Sequence, residues 1–266
     1  MKGYKGFEPG LICRGKQYAE NTVFEEEEAE ICSYGMHFCE NPFDVLDYYG
    51  FINDTGDFNE FAEVEALDEV KTDNNRKFCT KKLKIGAKLS ISKFINACVD
   101  FAIEKTSTCI ADNKISSGDS AQIGSSGNFA QIGSSGNFAQ IGSSGDSARI
   151  GSSGYSAKIG SSGNFAQIGS SGYSAQIGSS GYSAQIGSSG DSARIGSSGE
   201  DCVICCAGHN SAVKAKKGSW ITLAEWEYSE EKERYIPKCV KTEFVDGERI
   251  KEDTLYKLID GEFVEV

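Results

Sequence analysis

Proline, methionine, tryptophan and histidine are all scarce in this chain, at three, two, two and two among 266 residues. With only His37 and His209 available, no histidine-rich metal site can be assembled, and no H-E-x-x-H segment exists. A phosphate loop, a dinucleotide fingerprint and a G-x-S-x-G elbow are also missing, which removes the commonest nucleotide and hydrolase signatures. No apolar run approaches the roughly 18 residues that a membrane-spanning helix needs. The opening MKGYKGFEPG lacks the charged and then apolar segment of a secretion leader. The expectation is therefore a cytoplasmic protein whose ten cysteines stay as thiols, with no membrane association, no metal and no cofactor.

Positive charge is in deficit too. The net charge is −12, and it is unevenly distributed. Residues 1–114 hold 14 Lys/Arg against 21 Asp/Glu, residues 115–199 hold three of each, and residues 200–266 hold 10 against 15. An acidic surface repels phosphate backbones, so no nucleic-acid partner is expected. A carboxylate mimic of nucleic acid is the one escape, and the neutral middle third weakens it.

What the chain has in abundance is glycine, 31 residues, concentrated in one repeat. From Ile123 the text runs IGSSGNFAQ, IGSSGNFAQ, IGSSGDSAR, IGSSGYSAK and onward with a period of nine, isoleucine returning at 132, 141, 150, 159, 168, 177, 186 and 195. The register continues, degraded, through Ile204 and Val213, and it begins with Lys114 in the isoleucine slot. Alanine and isoleucine stand two apart, so in an extended segment they share one face, while Gln, Arg or Lys between them points away. Gly-Ser-Ser-Gly supplies the turn, glycine being expected at positive φ in the corners. One nonad is too short to enclose an interior. Two nonads per coil set two narrow sheets face to face, with an interior of Ala130, Ile132, Ala139, Ile141, Ala148, Ile150, Ala157, Ile159, Ala166, Ile168, Ala175, Ile177, Ala184 and Ile186. About eleven nonads give five to six coils, a rod roughly 25 Å long at about 4.8 Å per stacked strand. Such a rod needs caps, because its ends expose unpaired strand edges.

The two variable slots alternate among Asn-Phe, Tyr-Ser and Asp-Ser, so that Phe129, Phe138, Tyr155, Phe165, Tyr173 and Tyr182 decorate the corners. These rings either cover the strand edge or form an aromatic contact stripe for a partner or a second copy. Cys202, Cys205, Cys206 and His209 imitate a zinc spacing, but the repeat register places Cys202 in the inward alanine slot and Cys205 in a corner glycine slot. Divergence in a terminal coil explains them.

The glycine-rich nonad resembles the calcium β-roll of secreted toxins. It lacks the regular aspartate of that pattern, so the resemblance implies the coil and not the calcium. The serine- and alanine-rich flavour is similar to the head repeats of trimeric adhesins, whose repeat is longer. An ice-binding rod would present regular threonine rows, whereas the outward slot here alternates Gln, Arg and Lys.

The fold class expected is mainly β: a parallel β-solenoid over 114–213, with an α+β domain before it (1–113) and a small β-rich cap after it (214–266). In the first part, Glu25–Glu28 form a solvated charge run, Phe61–Val70 alternates as a strand does, and KKLKIGAKLS suggests another strand. Ser90–Lys105 then fits an amphipathic helix with Ile91, Phe94, Ile95, Cys98, Phe101 and Ala102 on one side, capped by Ser90 or Ser92 and shielding the first coil. In the last part, Asp246-Gly247 and Asp260-Gly261 between apolar runs signal hairpins, and Trp220 and Trp226 are packing residues.

Tyr4-Lys5-Gly6-Phe7, Cys13-Arg14-Gly15, then SYGMHFCENPFDVLDYY (33–49), then Phe61-Ala62-Glu63-Val64-Glu65 form an ordered set. It resembles an uncharacterised domain of bacterial and phage proteins, often joined to glycine-rich repeats and a G-S-W-I-T-L-A-E tail like that at Gly218–Glu225. The resemblance implies a bacterial host cell and a phage or mobile-element setting. The same order is faintly similar to ADP-ribosyltransferases, which implies a nucleotide-like ligand lined by Arg14, His37, Tyr48, Tyr49, Glu63 and Glu65. The His-Gly of one transferase class and the Ser-Thr-Ser of the other are missing, so a degenerate, ligand-binding version is implied. For His37, Cys32 and Cys39 a purely structural role, in a packed strand–helix junction, is the alternative.

Two expectations of function follow. The leading one is a non-enzymatic interaction or assembly protein, its solenoid a rigid surface for a protein partner or for self-association. The alternative is a binder of a nucleotide-like small molecule in the N-terminal domain.

Overall fold

In the computed structural model the described residues are 1–53, 55–73, 75–106 and 113–266. The repeat forms a parallel solenoid of roughly six turns. Strands register with a shift of 18 residues, Gln131 against Arg149 and Ile132 against Ile150 on one side, Gln140 against Lys158 and Ile141 against Ile159 on the other. Two nonads therefore make one coil. Alternate strands build two sheets: one holds residues 113–116, 131–134, 149–152, 167–170, 185–188 and 203–206, and the other holds 122–125, 140–143, 158–161, 176–179, 194–197 and 212–214. We name them the open sheet and the covered sheet. Lys114 pairs through its backbone with Ile132, as the register requires.

The alanines and isoleucines of the repeat face inward. Ala130 through Ala184 and Ile132 through Ile186 are all at most 4% exposed, and the isoleucines, with Ala166 and Ala184, form one continuous cluster with the apolar residues of the C-terminal part. The first serine of each repeat also turns in. Ser143, Ser161 and Ser179 are fully buried, and their hydroxyls find no hydrogen-bond partner.

The corners correct one expectation. Positive φ falls on the second variable residue, for example Phe129 (61°), Phe138 (56°), Ser147 (56°) and Ser156 (51°), and not on the repeat glycines. The glycine that closes GSSG is needed for close stacking instead: a Cβ on Gly154 would lie 1.9 Å from the carbonyl oxygen of Gly136 in the coil below. The first variable residue knits the coils where it is Asn or Asp. Asn137 accepts from the amide of Tyr155 at 3.0 Å, and Asp146 from that of Asn164 at 2.8 Å.

Before the solenoid lie β1 (Lys2–Phe7), β2 (Ile12–Cys13), β3 (Lys16–Gln17), β4 (Val23–Glu25), β5 (Met36–Phe38), α1 (Pro42–Val45), β6 (Glu60–Ala66), β7 (Val70–Thr72), β8 (Phe78–Thr80), β9 (Lys82–Leu89) and α2 (Ile91–Thr106). They form an antiparallel sheet in the order β1-β6-β9-β4 and a smaller one in the order β5-β8-β7. Ser90 caps α2, its hydroxyl accepting from the amide of Lys93. Of the charge run, Glu25, Glu27 and Glu28 are exposed.

Helix α2 has two apolar edges. Phe94 stacks on Phe61 of β6 with ring centroids 3.7 Å apart, while Ile95 and Val99 press on the covered sheet. The helix touches four successive strands of that sheet, from 122–125 to 176–179, so it runs along the rod's flank where the sequence suggested a shield over the first coil. Phe51, Ile52 and Phe58 continue the same cover. The outward polar row of the covered sheet bonds to the segment around α1: Gln140 to Asn41 (2.9 Å) and Asp44 (3.0 Å), Lys158 to Asp47 and the carbonyl of Phe43, Arg194 to the carbonyls of Ile52 and Asn53.

At the C-terminal end each sheet is closed by a hairpin. Residues Trp220–Ser229 add to the open sheet in parallel and then pair antiparallel with Arg234–Phe244; Leu255–Ile259 and Glu262–Glu265 extend the covered sheet. Asp260-Gly261 is a hairpin turn as expected. Asp246-Gly247 is not: it joins strands of different sheets, with the Asp246 carboxylate accepting from the amides of Glu248, Arg249 and Ile250. The long hairpin turns instead near Glu233, at φ 48°.

Candidate functional site

A cavity of about 300 Å³ lies in the N-terminal part, between β1, the β2–β3 hairpin, the segment around β5 and the chain after α1. Arg14 and Gly15 form the two-residue turn between β2 and β3, both at positive φ (51° and 74°), the signs of a type I′ hairpin. This turn places Arg14, an exposed residue, in the lining of the cavity. Gly6 leaves room for the side chain of Tyr49, whose ring a Cβ would meet at 2.8 Å.

Of the six residues expected to hold a ligand, Arg14, His37, Tyr48 and Tyr49 line this cavity together. Glu63 and Glu65 do not. They alternate with the buried Val64 on β6, Glu63 being exposed, and pair through the backbone with Tyr4 and Lys2.

The deepest charged group of the cavity lies outside the six residues expected to hold a ligand. Lys5 is 5% exposed, and its ammonium donates to the Sγ of Cys13 (3.3 Å) and the carbonyl of His37 (2.9 Å). Tyr49 donates its hydroxyl to the same sulfur at 3.1 Å. Lys77 stands over the ring of Tyr48, 5.0 Å from its centroid, and Lys16 pairs with Glu26 at the rim. The cluster sets the local electrostatics. Burial, then the charges of Lys5, Lys77 and Arg14, push the His37 imidazole down to about 4, and its Nε2 accepts from the amide of Cys32. Burial lowers the Lys5 ammonium and raises the hydroxyls of Tyr18 and Tyr49. Burial, followed by Asp44 and Asp47, pushes the Cys39 thiol up to about 12. The cavity is thus cationic inside an acidic chain, with tyrosine walls, a combination that suits a small anion. Lys5 and Lys77 are 72 positions apart in sequence, and only Lys5 lies in one of the ordered motifs, so no local signal marks them as neighbours.

The corner rings do not form one stripe. Because two nonads make a coil, alternate repeats occupy opposite edges of the rod: Phe138, Tyr155 and Tyr173 on one, Phe129, Phe165 and Tyr182 on the other. All six are between 47% and 72% exposed. Tyr155 and Tyr173 stack at 5.5 Å, and Phe165 meets Tyr182 edge-on at 5.0 Å. Cys202 and Cys206 are buried inward, while Cys205 stands outward against Gly187, so the zinc-like spacing does not converge. Cys109 lies outside the described residues.

The outward faces of the two sheets carry the same glycine row, similar polar rows and different surroundings. On the covered sheet Gly142, Gly160, Gly178 and Gly196 are buried beneath α2 and the Phe51–Phe58 segment. On the open sheet a Cβ at Gly151, Gly169 or Gly187 would meet nothing within 4 Å. Among the described residues no helix is long and apolar enough to cross a membrane. No curated protein and no solved structure matches the chain. Residues 1–97 match a family described as a domain of unknown function (DUF7666), and to that family the N-terminal part is similar.

Proposed function

We propose that this is a non-enzymatic interaction or assembly protein, in which the solenoid is a rigid surface for a protein partner or for a second copy. The observation that carries the reading is the contrast between the two faces of the rod, one fastened to the chain's own N-terminal domain and the other uncovered. A parallel stack with a dry core changes little in shape on binding, which lowers the cost of presenting a long contact face. The two aromatic edges add exposed rings of the kind enriched in interfaces. The phage or mobile-element setting and the cytoplasm of a bacterial host cell rest on the resemblance of the N-terminal motifs and the Gly218–Glu225 tail. Size-exclusion chromatography with light scattering tests the reading. It predicts a defined oligomer or an elongated monomer; a compact globular monomer counts against it.

A second reading is favoured by the cavity that Arg14, His37, Tyr48 and Tyr49 share with Lys5 and Lys77. It makes the N-terminal domain a holder of a nucleotide-like anion, a degenerate relative of the ADP-ribosyltransferase fold. A thermal-shift screen with NAD, ADP-ribose and cyclic nucleotides decides it. A rise in melting temperature that Arg14→Ala removes supports the reading, and a flat screen ends it.

A further inference from the structure

We propose that the open sheet is a seat for an amphipathic α-helix of a partner protein, one that presents a row of aliphatic side chains flanked by a carboxylate. The inference rests on the interaction reading above and names the partner's chemistry.

The argument comes from the twin face. The covered sheet offers a row of glycines beside a row of Gln140, Lys158, Gln176 and Arg194. Aliphatic side chains of α2 lie on the glycine row: Val99 over Gly142, and Ile95 over Gly160 and Gly178. Carboxylates and carbonyls meet the polar row, Asp47 at Lys158 and Asp44 at Gln140. The open sheet repeats this arrangement with Gly133, Gly151, Gly169 and Gly187 beside Gln131, Arg149, Gln167 and Gln185. Its glycines are half-buried or exposed, and Ile115 (89% exposed) and Val203 (53% exposed) stand in the two rows at its ends. The twin of this surface carries a helix, and among the described residues nothing of the chain lies over Gly151, Gly169 or Gly187.

Dimensions agree. Side chains four apart on a helix are about 6 Å apart along its axis and stacked strands about 4.8 Å apart, a mismatch that α2 already spans on the twin face, with Val99 at Gly142 and Ile95 shared between Gly160 and Gly178. From Gly133 to Gly187 the floor spans three strand spacings, roughly 14 Å, or about ten helical residues. Glycine is what permits the approach, since any Cβ in these slots would lift the helix away.

Charge selects a foreign helix over a second copy. Between Gln131 and Gln185 the outward polar row of the open sheet contains Arg149 and no carboxylate, so a second copy of this face offers that arginine no counter-ion, whereas a helix bearing a carboxylate does. The chain's own α2 is not available either, since Phe94, Ile95, Cys98 and Val99 are already buried.

The test uses the full chain and a labelled peptide spanning residues 90–106, which carries the α2 aliphatic row with Asp100 and Glu104. Fluorescence anisotropy should show saturable binding at one site per chain, weakened at least about tenfold by Gly151→Leu/Gly169→Leu, and weakened also by Arg149→Glu. Circular dichroism and the urea midpoint of the double variant should match the parent, because those positions are open. Absence of peptide binding, or binding indifferent to the double variant, overturns the inference. A dimer in light scattering that the double variant dissociates, with no peptide bound, overturns it too, while leaving the interaction reading intact.

Discussion

Gly142 and Gly151 fill the same slot of consecutive repeats, yet a Cβ on the first would lie 2.9 Å from the Cα of Val99 and on the second would touch nothing within 4 Å. A repeat of nine read in pairs sends the same glycine slot to opposite faces, and the remote N-terminal segments cover one of those faces. Function, on this account, follows from that asymmetry.

Stacking glycines should be far less tolerant than floor glycines. Gly154→Ala forces a methyl to within 1.9 Å of the Gly136 carbonyl oxygen and is expected to cost about 3 kcal/mol or more. Gly151→Ala, three residues away, should stay within about 0.5 kcal/mol of the parent. Urea unfolding of the two variants compares them directly.

The buried serine ladder predicts an unusual gain. Ser143, Ser161 and Ser179 are 0% exposed with unpartnered hydroxyls, so each carries a desolvation cost with no bond to offset it. Changing all three to alanine should raise the unfolding free energy by about 1 kcal/mol per site, seen as a higher urea midpoint at unchanged slope.

Lys158 ties the rod to the N-terminal domain through Asp47 and the Phe43 carbonyl, and its side chain is 4% exposed. Lys158→Ala leaves Asp47 with Arg76 at 2.6 Å as its remaining cation. The expected loss is about 2 kcal/mol, below the 3–5 typical of a fully buried pair because Asp47 keeps that second partner. Hydrogen exchange should quicken first in the segment around α1.

Acid should weaken the N-terminal domain through His37. Its folded value is about 4 and its unfolded value about 6.5, so the unfolded chain binds the extra proton between them. The contribution is complete above pH 6.5 and is lost as the pH falls towards 4. His37→Gln should flatten that part of a stability–pH profile recorded by urea unfolding.

Much of this architecture was legible in the sequence, because a period of nine with Ala and Ile two apart leaves one economical coil, and the 18-residue register follows. The glycine role was misjudged: backbone contact between coils, 18 residues apart, is invisible in a single repeat, and the left-handed corner falls on Phe and Ser instead. Val99 falls outside the single apolar side that the periodicity predicts because α2 has two buried edges, one for Phe61 and one for Gly142. In the cavity, Arg14, His37, Tyr48 and Tyr49 were found through motif order, whereas Lys5 and Lys77 meet only through the fold. Glu63 and Glu65 were misplaced because strand alternation on β6, with its bulge near Ala62, decides which way each points.

The most direct measurement sets Gly142→Leu beside Gly151→Leu and records the urea midpoint and the residue 90–106 peptide affinity of each. The account predicts that Gly142→Leu unfolds at markedly lower urea, whereas Gly151→Leu melts like the parent and binds the peptide poorly. Equal midpoints, or a Gly151→Leu protein that binds the peptide as the parent does, would contradict it.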